Sequence, residues 1–180
     1  MKIMSAGWRM AYLKKSDGKE CIFCVRPGRG SDRANLIVYR GKHAFVMMNR
    51  YPYSTGHLMV APYRHVAGIA ALTDDEACET MSLVGMSESA LKAALSPDGF
   101  NMGINVGKCA GAGYPGHVHV HIVPRWSGDT NFMPVISETK VLPETLTDTY
   151  GRIMKAARAI LDGRLAPPGR GPSKRPRGRR

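Results

Sequence analysis

Gly116-His117-Val118-His119-Val120-His121-Ile122-Val123-Pro124-Arg125 sets three histidines in strict alternation with branched apolar residues. Branched side chains and a period of two favour a strand, which sends successive residues to opposite faces. The predicted strand presents all three imidazoles on one face and buries Val118, Val120 and Ile122. Half of the chain's six histidines fall within these five residues, so a chemical site is the better reading than solvated histidines on an edge strand. Two chemistries fit: a strand-borne zinc site, since neutral imidazole is a favoured zinc ligand, and nucleophilic attack by one ring.

Immediately upstream, Gly107-Lys108-Cys109-Ala110-Gly111-Ala112-Gly113-Tyr114-Pro115-Gly116 carries four glycines in ten residues. Glycine admits positive φ and lets backbone N–H groups converge on an anion, so this stretch reads as a phosphate-binding loop, although not of Walker type. Further back, Cys21-Ile22-Phe23-Cys24 pairs two of the four cysteines. The spacing suits metal binding in a reducing compartment, but a structural zinc needs four ligands and the pair supplies two.

Around these motifs the chain fits one α+β domain with an antiparallel sheet of about five strands and packed helices. Leu36–Tyr39 and Ala44–Met48 read as strands of a hairpin turning at 40–43, Leu58–Ala61 as a third strand and Phe100–Val106 as a fourth. Pro27 to Ala34 reads as a polar loop. Thr73-Asp74-Asp75-Glu76 is a capping box that starts a helix at Asp74, with Ala77, Met81, Val84, Leu91 and Leu95 as its apolar stripe. Leu142-Pro143-Glu144 opens a last helix whose stripe is Leu146, Tyr150, Met154, Ala157 and Leu161.

Formal net charge is +12, but seven of the positive charges lie beyond residue 162 with no acid among them, leaving +5 for the rest. Residues 163–180 are expected to form a disordered basic tail, either a solubilising appendage or a segment in weak contact with nucleic acid. Residues 1–20, with Trp8, Met10, Tyr12 and Leu13 among basic residues, read as an apolar strap. No apolar run approaches the roughly 18 residues of a membrane span, and the N-terminus lacks a signal-peptide pattern; a cytoplasmic protein is expected.

His117 to Val123 resembles the histidine-triad (HIT) signature, His-φ-His-φ-His-φ-φ with φ apolar, at every position. Gly56 to His65 is similar to the family's Gly-His-x-Leu-Val-x-Pro-x-x-His segment, and Gly99-Phe100-Asn101 through Asn105-Val106-Gly107 to its strand before the phosphate loop. The matches cover about residues 20–162, implying a HIT domain over 21–162. The resemblance implies a nucleotidyl transferase or hydrolase that cleaves diadenosine polyphosphates at the α-phosphorus. It makes His119 the nucleophile, His121 a phosphate ligand and His57 the partner that holds the imidazole geometry. Asn49 would bind ribose, Phe45 with Ile22 and Phe23 would enclose the base, a plain core role being an equal reading for Phe45, and Asn105 with the backbone at Gly107, Gly111 and Gly113 would hold phosphates. It further implies a structural zinc on Cys21, Cys24, His65 and His117, magnesium accompanying the nucleotide, and a homodimer.

Commoner HIT hydrolases carry a glutamine four residues before the first histidine, where this chain has Gly113. The Ala-Gly-rich loop and residues 124–132 look more like the branch containing bacterial diadenosine tetraphosphate phosphorylases. Rival readings are a phosphoramidate or mononucleotide-conjugate hydrolase of the same superfamily, a zinc hydrolase with metal on His119 and His121, and a non-catalytic nucleotide- or nucleic-acid-binding protein.

Overall fold

In a computed structural model, the structure describes residues 20–129 and 143–164. Residues 1–19 of the expected 1–20 strap, residues 165–180 of the expected 163–180 tail and the family-like residues 130–132 lie outside them. Five strands form one sheet: β1 (Ile37–Arg40), β2 (Ala44–Met48), β3 (Leu58–Pro62), β4 (Gly99–Ile104) and β5 (Val120–Arg125). Their order is β1-β2-β3-β5-β4 and every neighbouring pair is antiparallel. Among the described residues four α-helices accompany them: α1 (Ile22–Val25), α2 (Asp32–Asn35), α3 (Asp74–Leu95) and α4 (Leu146–Leu161).

Alternation along the strands builds two cores. Val46, Met48, Leu58, Val60, Val120 and Ile122 meet α3 and α4 on one face. Phe45, Met47, Met59 and Ala61 point the other way and pack with Phe23 and Ile37. The triad belongs to this second face. Gly56, at φ +78, leads into β3 with Leu91 and Leu95 of α3 pressed against its Cα, where a side chain would collide with both.

The capping box at Thr73 and Glu76 forms as expected: Glu76 N–H donates to Thr73 Oγ1, and Thr73 N–H donates to the Glu76 carboxylate. The expected apolar stripe of α3 holds at Val84 and Leu91, with Leu95 packed against the core, and fails at Met81. Its buried line is Glu76, Thr80, Leu83, Val84, Ser87, Ala90 and Leu91, while Met81 is 62% exposed. Small polar residues can occupy this line because the Ser87 and Ser89 hydroxyls donate to the carbonyls of Leu83 and Gly85 one turn back.

Three further expectations shift. The polar stretch after Pro27 contains α2, capped by Ser31 Oγ accepting from Ala34 N–H. The last helix starts at Leu146 rather than at Leu142-Pro143, because the Thr145 hydroxyl accepts from Asp148 N–H and fixes the N-terminus there. Its stripe includes Ile153, fully buried, and leaves Leu161 at 52% exposure. The Tyr150 hydroxyl ties α4 to the sheet by donating to the Ile37 carbonyl at 2.9 Å, beside the irregularity in the β1–β2 register.

Candidate active site

The triad strand begins later than its alternation predicts. β5 starts at Val120, and His117 and His119 lie on the segment that leads into it. Val118 N–H donates to the Val66 carbonyl, and Val118 remains buried, so the in–out alternation survives without ladder pairing.

The backbone hydrogen bonds of this segment assign tautomers. His119 Nδ1 lies 2.8 Å from the His117 carbonyl, which can only accept. The proton therefore sits on Nδ1, and the Nε2 lone pair is free for chemistry. Burial pushes the His119 pKa down, against a smaller upward pull from the His117 carbonyl, so the ring is neutral at pH 7. Neutral, tautomerically fixed and only 4% exposed, it is placed as a nucleophile would be.

His57 and His121 form a second pair. Tyr53 N–H donates to His57 Nδ1 at 3.1 Å, so His57 carries its proton on Nε2 and donates to His121 Nδ1 at 2.9 Å. That leaves His121 with an Nε2–H, a donor suited to a phosphate oxygen. Tyr53 also stacks on His57 at 4.8 Å, and the His119 and His121 rings stand 4.7 Å apart. No pattern in the sequence marks Tyr53 as a support; only folding sets it against His57.

The four expected metal ligands come together. Sγ of Cys21 and Cys24 and a ring nitrogen each of His65 and His117 lie within 4.8 Å of one another. His117 Nδ1 is 3.4 and 3.5 Å from the two sulfurs and 3.3 Å from His65 Nδ1, and Cys24 Sγ is 3.2 Å from His65 Nδ1. These are close to the edges of a tetrahedron with bonds of about 2.0–2.3 Å. His117 Nε2–H donates to the Pro62 carbonyl at 2.9 Å, which turns the Nδ1 lone pair into the cluster. Desolvation, then the hydrogen bond and charge of Cys21, push the Cys24 thiol up to about 11. A divalent cation would relieve that repulsion by taking both sulfurs as thiolates. Gly116 lets the chain pass this close: a Cβ there would stand 3.0 Å from His65 Nε2. The donor set fits zinc, with all four positions closed by protein.

The remaining expected residues are placed unevenly. Asn49 follows β2; its Oδ1 accepts from Tyr51 N–H, and its Nδ2 is 3.4 Å from His57 Nδ1. Asn105 Nδ2 reaches the Gly111 carbonyl at 3.4 Å. Phe45, expected at the base, is fully buried and stacked on Tyr63 at 5.2 Å, which makes it a core residue behind the site. In the glycine loop, Gly107 precedes a single 3-10 turn over Lys108–Ala110 and Gly111 closes it. Gly111 and Ala112 N–H groups are bonded to the Lys108 and Gly107 carbonyls rather than turned outward. Gly113 lies four residues before His117.

A five-stranded antiparallel sheet with helices on one face and a supported histidine triad on the other defines a histidine-triad protein. The HIT domain model matches residues 32–128, and the chain belongs to this family. Over 119 residues it is 46% identical to a protein of Mycobacterium tuberculosis named AP-4-A phosphorylase, covering 66% of this chain and 61% of that one. The chain thus spans less than two thirds of that relative's length. An uncharacterised HIT-like protein of Methanocaldococcus jannaschii is 36% identical over 109 residues, covering 61% of this chain and 81% of its own. Among solved structures, a hypothetical histidine triad nucleotide-binding protein from Sulfolobus tokodaii aligns with TM-score 0.60 and 27% identity, over 79% of this chain and 93% of that one. A Zn-bound histidine triad family protein from Mycobacterium smegmatis shares the fold, with TM-score 0.61 and 24% identity over 83% of this chain and 99% of that one.

Proposed function

We propose that this protein is a nucleotidyl transferase that cleaves diadenosine polyphosphates at the α-phosphorus and passes the adenylyl group to inorganic phosphate. The observation that carries the reading is the His119 ring, held with Nδ1–H on the His117 carbonyl and Nε2 free. Nε2 attacks the α-phosphorus in line with the leaving polyphosphate, the P–O bond to that group breaks, and a nucleotidyl-imidazole forms. His121 Nε2–H, set by the Nε2–H of His57, donates to a non-bridging oxygen as charge develops there. In the second step an oxygen of phosphate attacks the same phosphorus, the P–N bond breaks, and ADP leaves with His119 again neutral. Two easier displacements replace one difficult one. The relative named AP-4-A phosphorylase supports this choice of substrate and acceptor.

In this reading zinc on Cys21, Cys24, His65 and His117 is structural, and magnesium enters only as counter-charge on the polyphosphate. Asn49 contacts ribose, and Asn105 with the loop from Gly107 to Gly113 holds phosphates. The HIT domain runs from 21 to 162, and residues 163–180 form a basic tail that touches nucleic acid weakly. The protein works in the cytoplasm as a homodimer. Support for the dimer comes from the β4 edge, where Met102 and Val106 are exposed together with Met81 of α3 and Ile69. Among the described residues no helix is long and apolar enough to cross a membrane.

Replacing the nucleophile tests the proposal. His119→Ala should abolish turnover of diadenosine tetraphosphate while leaving the circular dichroism spectrum and nucleotide binding in place. Near-normal turnover by that variant rules out the covalent route.

A further inference from the structure

Phe23 sits between the two cysteines of the metal cluster and is 1% exposed. Its ring lies against His119 with centroids 4.5 Å apart and planes at 32°, and against His117 at 5.1 Å and 42°. A third ring against it is Tyr114 of the loop ahead of the triad, edge-on at 5.9 Å. One aromatic ring thus touches the first histidine, the middle histidine and the loop that delivers them.

The segment that carries Phe23 has little to hold it in place by itself. α1 has four residues, too short for helix stability from its own hydrogen bonds. Its backbone ties are local: the Cys24 and Val25 N–H groups donate to the Cys21 carbonyl, and the Arg26 N–H donates to the Ile22 carbonyl. Its position therefore depends on what fixes Cys21 and Cys24 and on the packing of Phe23 into the core of Ile37, Phe45, Met47, Met59 and Ala61.

A second connection leaves the cluster through His117. Its Nδ1 faces the sulfurs, its Nε2–H is held by the Pro62 carbonyl, and its own carbonyl accepts the His119 Nδ1–H. Anything that fixes the His117 ring also fixes the acceptor that sets the tautomer of His119. The two connections converge on one imidazole, Phe23 against its face and the His117 carbonyl at its Nδ1. An imidazole has a soft, two-fold torsion about its last bond, and a hydrogen bond alone leaves the ring free to rock; a flat neighbour removes that freedom.

We infer that Phe23 is a positioning residue that couples the Cys21–Cys24–His65–His117 metal cluster to the orientation of His119. The inference rests on the proposed role of His119 as nucleophile. It assigns the cluster a part in catalysis at a distance: ligation of Cys21 and Cys24 anchors α1, α1 presses Phe23 on the nucleophile, and Nε2 stays aligned for attack. Misplacement of a reacting group by about 1 Å can cost a hundredfold in rate.

The experiment uses the full chain loaded with zinc, comparing wild type with Phe23→Leu, which keeps apolar bulk and loses the flat face. Zinc content should be unchanged, kcat should fall about 10- to 100-fold, and KM for diadenosine tetraphosphate should move less than about threefold. Nitrogen-15 spectra of the histidine rings, with His119 assigned by His119→Asn, should show one Nδ1–H tautomer in wild type. In Phe23→Leu, and in wild type stripped with a chelator, the signal should broaden or split. Stripping Phe23→Leu should change it little further. A rise in KM alone would make Phe23 a base contact and overturn the inference, as would a His119 signal indifferent to both treatments. Should Phe23→Leu fail to fold, Cys24→Ser tests the same coupling with the ring in place: an unaltered His119 signal overturns it. These spectra need no turnover, so an active His119→Ala enzyme would sink the covalent reading and leave the coupling to be judged separately.

Discussion

His57 Nε2 stands 2.9 Å from His121 Nδ1, with Tyr53 N–H donating to the opposite nitrogen of His57. One backbone N–H thereby settles two tautomers in series and leaves His121 with its proton on Nε2. His57→Ala removes the donor and lets His121 adopt either tautomer, so kcat should fall about 10- to 100-fold with substrate affinity little changed. Steady-state kinetics decide this, and a loss confined to KM would show that His57 acts through binding. Tyr53→Phe keeps both the N–H and the stacked ring and should cost much less.

As the proposed nucleophile His119 works only as free base, and burial lowers its pKa below the ordinary histidine value of 6.5. A base with a depressed pKa stays deprotonated further into acid. The acid limb of kcat/KM should therefore lie below pH 6.5, with activity nearly flat from there to neutrality. Its position is read from a pH–rate profile. A limb above 6.5 would mean that His119 is more solvated in the working enzyme than in this fold.

Metal removal bears on the fold more than on substrate contact. The purified protein should contain about one zinc per chain, absent in Cys21→Ser, because four closed ligands exchange slowly with solvent. Chelation should lower the melting temperature, and affinity should weaken as pH falls because both thiols and both rings must be deprotonated to bind. Metal-free protein of unchanged thermal stability would contradict the structural role. Elemental analysis and calorimetry supply both readings.

Glu79 of α3 accepts from the N–H groups of Lys42, His43 and Ala44 at the β1–β2 turn. Desolvation pulls its pKa up, but the three backbone bonds together outweigh it and hold the carboxyl below its usual value. A depressed carboxyl contributes stability that is complete above the unfolded value, near 4.5, and is lost as pH falls through the folded one. Glu79→Ala strands three amides and should cost about 2–3 kcal/mol at pH 7. Glu79→Gln should lose less and show a flatter decline below pH 4.5 in thermal melts.

The parts of this molecule legible in its sequence are those fixed by local patterns. Alternation announces the triad face, apolar runs between turn residues announce the β1–β2 hairpin and β3, and the Thr73–Glu76 box places the start of α3 at the residue. What is missed depends on neighbours distant in sequence. Met81 fits a helical apolar period yet is exposed, because the sheet meets α3 along Thr80, Leu83 and Ser87. The start of β5 at Val120 follows from Val118 bonding to Val66, 52 residues earlier and outside the sheet. Phe23 reads from the sequence as a base contact by resemblance; its contact with His119 across 96 residues of chain exists only in the fold. The glycine loop is recognisable by composition, but the 3-10 turn that occupies two of its amides is set by geometry no glycine count reveals.

In the proposed mechanism the acceptor of the second step turns on Gly113. The family resemblance implies a glutamine amide in the commoner hydrolases four residues before the first histidine, where this chain has Gly113 and no side chain. Phosphate is larger than water and anionic, so it needs room and hydrogen-bond donors where water needs little of either. In this proposal the missing amide leaves the room, and exposed Lys108, at the start of the loop's 3-10 turn, adds positive charge to the loop. Diadenosine tetraphosphate incubated with labelled phosphate should therefore give labelled ADP together with ATP. Unlabelled AMP with ATP would mean that water is the acceptor. Gly113→Gln should shift the products toward AMP, since the amide would fill the space beside the adenylyl-imidazole. If Gly113→Gln leaves the ADP-to-AMP ratio of a phosphorolytic wild type unchanged, the loop residue is not what selects phosphate, and the selection must lie in charge rather than in space.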